Sequence, residues 1–381
     1  MSSPEQPWVL QICHGYDGPF LDCARQYAAL FQGTQYKVLT VYLTGDRDTN
    51  VEAGSASDEV IFLEYTSRQM RGLKLSAIRD VARLGSSRNF ALCIAHRFKP
   101  TYIACLATRL PIIGVSHAFG VYRRRMRRWF ANAFRKRLML FGVSDAVRND
   151  LRRCLPTWQD GRILCLYNRI DLNRAEFCIA DREQARRALG LSESGWIVGH
   201  VGRLHPDKDQ ATLLKGFAAA LPSLPDGSVL AIIGEGRLER SLKLLAVELG
   251  IAENVRFLGH IANARQFFRA FDTFALTSDH EPFGMVLLEA MVAGVPVVCS
   301  DCGGGREIVE DVGLLFPLGR PDLLADRLIA IARQTEEQLE SFRSAARERL
   351  SERFSDAQIK RRFWALPAMG SFDGALREPL S

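Results

Sequence analysis

Short apolar runs recur along the chain, separated by stretches whose apolar positions return at helical spacing. Trp8–Cys13, Tyr36–Thr40, Glu59–Leu63, Ala91–Ala95, Ile112–Val115, Leu138–Val143 and Arg162–Leu166 read as strands. A polar, helix-favouring stretch, Asn173 to Ser194, interrupts the pattern and is the expected linker. The alternation then restarts at Trp196–Val201 and runs through Val229–Ile233, Arg256–Leu258, Thr273–Leu276, Val295–Cys299 and Leu314–Phe316. Strands alternating with helices predict an α/β chain of two Rossmann-like, doubly wound domains, each a parallel sheet with helices on both faces. The expected boundaries are 1–172 and 195–354, with 173–194 between them and a helical segment at 355–381.

Composition narrows the class without naming it. A chain of 381 residues is too long for one ordinary core and suits two domains. Its 47% hydrophobic and 24% charged residues are globular values, which argues against disorder. No apolar run reaches a membrane span of about 18 residues. The opening Met1-Ser-Ser-Pro-Glu-Gln-Pro lacks the basic and apolar regions of a secretion signal, so a cytoplasmic location is expected. Nine scattered cysteines fit a reducing compartment, and the single C-x-x-C at Cys299 and Cys302 is weak support for a metal.

Charge changes the picture more. The net is +7, yet residues 1–180 carry 26 Lys and Arg against 15 Asp and Glu. The excess is densest from Tyr122 to Arg137, where Tyr122, Met126, Trp129, Phe130, Ala133 and Phe134 recur at helical steps. That stripe is expected to pack on the first sheet. The outward Arg123, Arg124, Arg127 and Arg128 then suit an anionic membrane surface, at about 1 kcal/mol per cation. Nucleic acid is disfavoured, because no nucleic-acid module surrounds the helix.

The candidate chemistry is densest around Glu281-Pro-Phe283-Gly284-Met285 and Glu289. Gly284 stands where a strand hands over to a helix, and a helix start gathers free N–H groups that suit a phosphate. Glu289, a turn later, can accept hydrogen bonds from a ribose diol. Gly202-Arg203 follows the strand at Trp196–Val201, and Lys208-Asp209 follows it in turn.

These segments resemble the E-x7-E and GR-x-x-x-x-KD motifs of glycosyltransferase family 4. So do Gly234-Glu-Gly236, Val255-Arg-Phe-Leu-Gly259 and Gly303-Gly304-Gly-Arg-Glu307, in family order over roughly residues 196 to 330. The first half resembles the family more loosely. The resemblance implies a GT-B fold, two domains facing across a cleft, with the last helix crossing back to the first domain. It implies a retaining transfer from a nucleotide-diphosphate sugar without a metal or other cofactor. Arg203 and Lys208 are then the phosphate clamp, and Glu281 the carboxylate at the donor sugar. His117 stands near donor sugar and acceptor. Gly202, His260, Phe283, Gly284, Met285 and Glu289 hold the donor. Gly15, Asp17 and Arg169 are the acceptor candidates. At Gly15 and Arg169 the chain departs from the family pattern. The acceptor class expected from the basic first domain is an envelope glycan or glycolipid, as in lipopolysaccharide core or polysaccharide synthesis, with the protein peripheral on the inner face of the cytoplasmic membrane. The alternatives are a nucleotide-sugar 2-epimerase of the same fold, a non-enzymatic scaffold, and a metal-dependent transferase using Asp46-Arg-Asp48.

Overall fold

The structure, a computed structural model, describes residues 6–370. Thirteen strands alternate with helices as the pattern predicts. In the first sheet they are β1 (Trp8–Cys13), β2 (Lys37–Tyr42), β3 (Glu59–Phe62), β4 (Phe90–His96), β5 (Ile112–Ser116), β6 (Leu138–Gly142) and β7 (Ile163–Cys165). In the second they are β8 (Ile197–Val201), β9 (Val229–Ile233), β10 (Val255–Phe257), β11 (Thr273–Leu276), β12 (Val297–Ser300) and β13 (Leu314–Phe316). The orders are β3-β2-β1-β4-β5-β6-β7 and β10-β9-β8-β11-β12-β13, and every pairing is parallel. Each sheet is doubly wound. The chain reverses direction across the sheet between β1 and β4, and again between β8 and β11. Beyond the carboxyl ends of those two strand pairs, helices leave to opposite faces, and the crevice left there is where such sheets bind ligands.

The strands are apolar because both faces are covered. Val9, Leu10, Ile12, Val41, Ile94 and Leu140 are fully buried in the first sheet. Val198, Leu230, Ile232, Ala275 and Val298 are buried in the second, where the helices Gln210–Ala220 and Pro321–Ala332 supply Leu213, Phe217, Leu324 and Leu328.

The chain divides into two compact units, up to Asn168 plus Ile359 onward, and Arg169–Gln358. The expected linker is therefore corrected: 173–194 belongs to the second unit. Its anchor is Arg186, whose guanidinium is fully buried on the helix Arg182–Ala188. It donates to the carbonyls of Ala270, Ser192 and Glu193 and to Asp272 Oδ2 at 2.7 Å. Asp272 also accepts from the Ile197 N–H, so the segment is tied to the start of β8. At the other end, the helix Asp356–Trp364 brings Phe363 and Trp364 to the first unit. Phe363 is fully buried against Phe31 and Phe141, and Trp364 donates to the Leu30 carbonyl. Residues 371–381 of the expected terminal segment lie outside the described residues.

The basic helix spans Arg125–Phe134 and departs from its expected packing. Phe130 and Ala131 are buried, with Phe130 against Tyr102 and Phe98. Met126 and Trp129, assigned to the same stripe, are 74% and 67% exposed. Trp129 lies about 100° around the helix from Phe130, so burying Phe130 leaves it outside, and Met126 is exposed in the helix's first turn.

Candidate functional site

In the second unit, Gly202 follows β8, and its N–H donates to the Ile233 carbonyl of the neighbouring strand. The chain then turns through a short 3-10 turn, Pro206–Lys208, into the helix Gln210–Ala220. Asp209 caps that helix, accepting from the Thr212 N–H and hydroxyl. Thr277, just past β11, donates its hydroxyl to the Lys208 and Asp209 carbonyls. Lys208 is thereby fixed beside the end of β11. Its ammonium donates to Glu281 Oε2 at 2.7 Å, and Ser278 donates to the same oxygen at 3.1 Å. Glu281 is buried and Lys208 nearly so. The pair leaves Glu281 Oε1 and two ammonium protons for a ligand.

Two glycines make room for this loop. Gly284 has φ +103°, a backbone that side chains resist, and starts the helix Met285–Val292. Gly304 approaches so closely that a Cβ would lie 2.5 Å from the Pro282 carbonyl, and its N–H donates to the Glu281 carbonyl. Glu289 is half-buried on the second turn of Met285–Val292, and Met285 is half-buried at its start. The Phe283 ring is turned inward against Phe354, so only its backbone is available to a ligand. His260 is exposed, with its N–H on Glu235. Arg203 is 72% exposed and touches Asp207 at 3.4 Å, so its guanidinium is free to swing. His200 lies beneath the loop, its Nδ1 on the Ala275 carbonyl and its Nε2 near Gln210. Burial lowers its pKa to about 4.

In the first unit, β1, β4 and β5 end at a different assembly. Gln11 donates to Thr40 and the Ala24 carbonyl, and its Oε1 faces His96 Nε2 at 3.4 Å. His96 Nδ1 lies 3.1 Å from His117 Nε2, and His117 Nδ1 lies 3.7 Å from the Cys23 thiol. Gln11 accepts, so His96 carries its proton on Nε2. His117 must then donate from Nε2, and the Cys23 thiol donates to its Nδ1. Burial, then the nearby Arg97, holds His117 at a pKa of about 4. Both of its nitrogens therefore face protein groups.

Residues 181–349 match the family described as Glycosyl transferases group 1. Within the second unit lies a group 1 glycosyl transferase domain. The chain is similar to the D-inositol 3-phosphate glycosyltransferase of Actinosynnema mirum, 37% identical over 186 residues, 45% of this chain and 43% of that one. The lipopolysaccharide core biosynthesis mannosyltransferase LpsB of Rhizobium meliloti is 35% identical over 144 residues, 36% of this chain and 41% of its own. The chain spans about half the length of the curated relatives it matches. Its fold is that of a glycosyltransferase from Rickettsia africae (TM-score 0.82, 14% identity, 97% of this chain and 100% of that). It is also that of Anabaena HepE in complex with UDP and glucose (TM-score 0.77, 22% identity, 94% and 98%).

The group 1 domain thus holds Gly202, Arg203, Lys208, Glu281, Gly284, Met285 and Glu289 around the ends of β8 and β11. Ser278 and Thr277 complete that grouping and were not foreseen; a Thr-Ser pair after a strand gives no distinguishing signal. One acceptor assignment is corrected. Arg169 is 1% exposed and belongs to the second unit, with its Nε on Asp356 at 2.6 Å. The backbone bridge from Ile170 to Ser355 pins it there, so it is a structural ion pair. Gly15 lies against Thr44 in the first unit, and Asp17 is exposed. The D-x-D is also structural: Asp48 caps the helix Thr49–Gly54, and the Asp46 carbonyl accepts from Tyr16. Among the described residues, no helix is long and apolar enough to cross a membrane.

Proposed function

We propose that this protein is a retaining glycosyltransferase that moves a sugar from a nucleotide-diphosphate donor to an envelope glycan or glycolipid. The observation that carries the reading is the Lys208–Glu281 pair at the switch point of a group 1 domain. The sugar C1–O bond to phosphate breaks, and its electron pair leaves with the nucleoside diphosphate. An acceptor hydroxyl oxygen bonds to C1, and its proton passes to the departing phosphate. Lys208 and a swung-in Arg203 stabilise the charge growing on that phosphate; one such preorganised donor is worth about 10²–10³ in rate. These two side-chain cations serve that role without a metal. Glu281 Oε1 receives a sugar hydroxyl, and Glu289 the ribose.

The acceptor class is supported by the name of the Rhizobium relative and by the outer flank of the first unit. There the exposed Met126 and Trp129 stand among arginines. Leu73 and Leu75 are also exposed, and Lys74 between them lies over Tyr102, which packs on Phe130 of the basic helix. Apolar tips among cations suit an anionic leaflet, with the protein peripheral on the inner face of the membrane.

The test is incubation with UDP-, GDP- and ADP-sugars and a glycolipid extract, with and without chelator, followed by mass spectrometry. Expected is a sugar added to the acceptor with chelator present. An epimerised nucleotide sugar without transfer would assign the 2-epimerase instead; no consumption of any donor would reject catalysis.

A further inference from the structure

The first unit holds a cavity of about 420 Å³ at the carboxyl ends of β1, β4 and β5, the switch point of its sheet. That is within the range of small-molecule sites. Its walls contain Arg97, Lys99, Arg124 and Arg127 and no carboxylate. The surrounding chemistry keeps those cations uncompensated. Arg97 lies over the Phe20 ring at 4.7 Å, and Arg127 over Phe98 at 4.5 Å. Both guanidiniums are therefore held by aromatic faces, which leaves most of their N–H edges free. Two acids stand near but outside the cavity lining: the exposed Asp17, whose charge acts on His14, and Asp150, which accepts from the Gly120 N–H and faces Arg123 and Arg153. The cavity's two imidazoles do not add charge: His14 is held at a pKa of about 4 by burial and then by Lys99 and Arg97, and His117 likewise by burial and Arg97.

The backbone also departs from its comfortable range here. Arg97 has φ +75° and ψ +167°, a region almost reserved for glycine. Its N–H is held by the Val115 carbonyl of the adjoining strand, and its carbonyl by Thr101. A long cation thus stands in a strained position where glycine would sit with less strain.

We propose that this cavity binds a phosphate group, and that the acceptor of the reaction is phosphorylated. The second clause rests on the glycosyltransferase reading; the first does not. Four cations converging from β4, the helix after it and the basic helix match a dianion better than a single carboxylate. Arginine forks take two oxygens each, and Lys99 adds a point charge.

Calorimetry on the full chain with sn-glycerol 3-phosphate tests the site, with glycerol and glycerate as neutral and carboxylate controls. Expected is binding of the phosphate, weaker binding of glycerate and none of glycerol. Arg97→Gln with Lys99→Gln is expected to lower phosphate affinity about tenfold or more. Arg97→Lys with Lys99→Arg keeps the charges and is expected to retain most of it. UDP binding in both variants reports an intact second unit. Vesicles of phosphatidylcholine with or without phosphatidylglycerol separate the sources: displacement of glycerol 3-phosphate by the anionic vesicles assigns a lipid-borne phosphate, and no displacement assigns a free one. Displacement by UDP, equal affinity for glycerate, or affinity unchanged in the Gln variant would each overturn the site. A chain that binds phosphate through Arg97 and Lys99 yet transfers no sugar keeps the site and loses the glycosyltransferase reading.

Discussion

The two sheets share one winding and end in opposite electrostatics. At the switch point of the second, a cation and a carboxylate are paired at 2.7 Å and buried together. At that of the first, four cations stand without a carboxylate beside neutral histidines. A paired site holds its geometry before a ligand arrives and keeps its charge small. An unpaired one stores potential that only an anion relieves. A shared winding fixes where a ligand goes, while side chains fix which ligand.

The strongest way to break this comparison is to unpair the second site. Lys208→Ala leaves the Glu281 carboxylate buried with only Ser278 as a donor. Expected are a fall in turnover of about 10²–10³ and a loss of stability of about 3–5 kcal/mol. Adding Glu281→Gln is expected to recover most of the stability and none of the turnover. Donor-consumption kinetics and urea melts check both. A single variant as stable as the parent would mean that the pair is solvated and that the two sites do not differ as described.

Acid distinguishes the units next. His14, His96 and His117 are held neutral in the first unit, and His200 in the second, each chiefly by burial. The folded pKa lies below the unfolded value of 6.5, so the stabilising contribution is whole above pH 6.5. It falls as the pH drops from 6.5 toward 4, where the unfolded chain binds protons that the native one refuses. For the fully buried His200 this amounts to about 1.4 kcal/mol per pH unit. With more such groups, the first unit is expected to open first. Hydrogen exchange by mass spectrometry at pH 7 and pH 5 should show protection lost in residues 6–168 before 169–358. Equal loss in both would remove the asymmetry.

The second unit was the more legible in sequence, for a physical reason. Its chemistry sits on short local spacings: Gly202-Arg203 before Lys208, and Glu281 before Gly284. Loop geometry sets those distances within a few residues. The first unit's site gathers Arg97, Lys99, Arg124 and Arg127 from segments far apart, and each reads alone as a solvated surface charge. Arg186 shows the same blindness. A charged residue on a polar helix reads as outward, and only the buried carbonyls around it reveal an anchor where a linker was expected. The basic helix is legible as an element, but which of its apolar positions stay outside is set by tertiary packing: Phe130 packs on Tyr102 and Trp129 is left exposed.

Membrane binding is expected to belong to the first unit alone. Arg123→Gln with Arg128→Gln removes two cations outside the cavity, about 2 kcal/mol of attraction to an anionic leaflet. Met126→Ser with Trp129→Ser should remove the part that survives high salt, since screening beyond about 8 Å spares apolar insertion. Vesicle co-sedimentation at low and high salt, with UDP binding as the control, measures both. Undiminished sedimentation of both variants would make this flank an ordinary solvated face.

The smallest effect concerns backbone strain. Each unit places a non-glycine residue at positive φ beside its site, yet the two differ. Asp209, at φ +43° and ψ +48°, is in the left-handed helical region that Asp tolerates, and its carboxylate caps a helix. Arg97, at φ +75° and ψ +167°, is outside that region. Relief of such strain is worth about 1–3 kcal/mol, and glycine's freer unfolded chain takes back about 0.4–1 kcal/mol. Arg97→Gly is therefore expected to raise stability by about 1 kcal/mol while weakening glycerol 3-phosphate binding. Asp209→Gly gains little from its backbone and loses the cap, so it should lower stability by a few tenths of a kcal/mol. Urea melts of the two variants decide it. If Arg97→Gly is destabilising, the arginine holds the loop together, and the first site is built for structure before it is built for an anion.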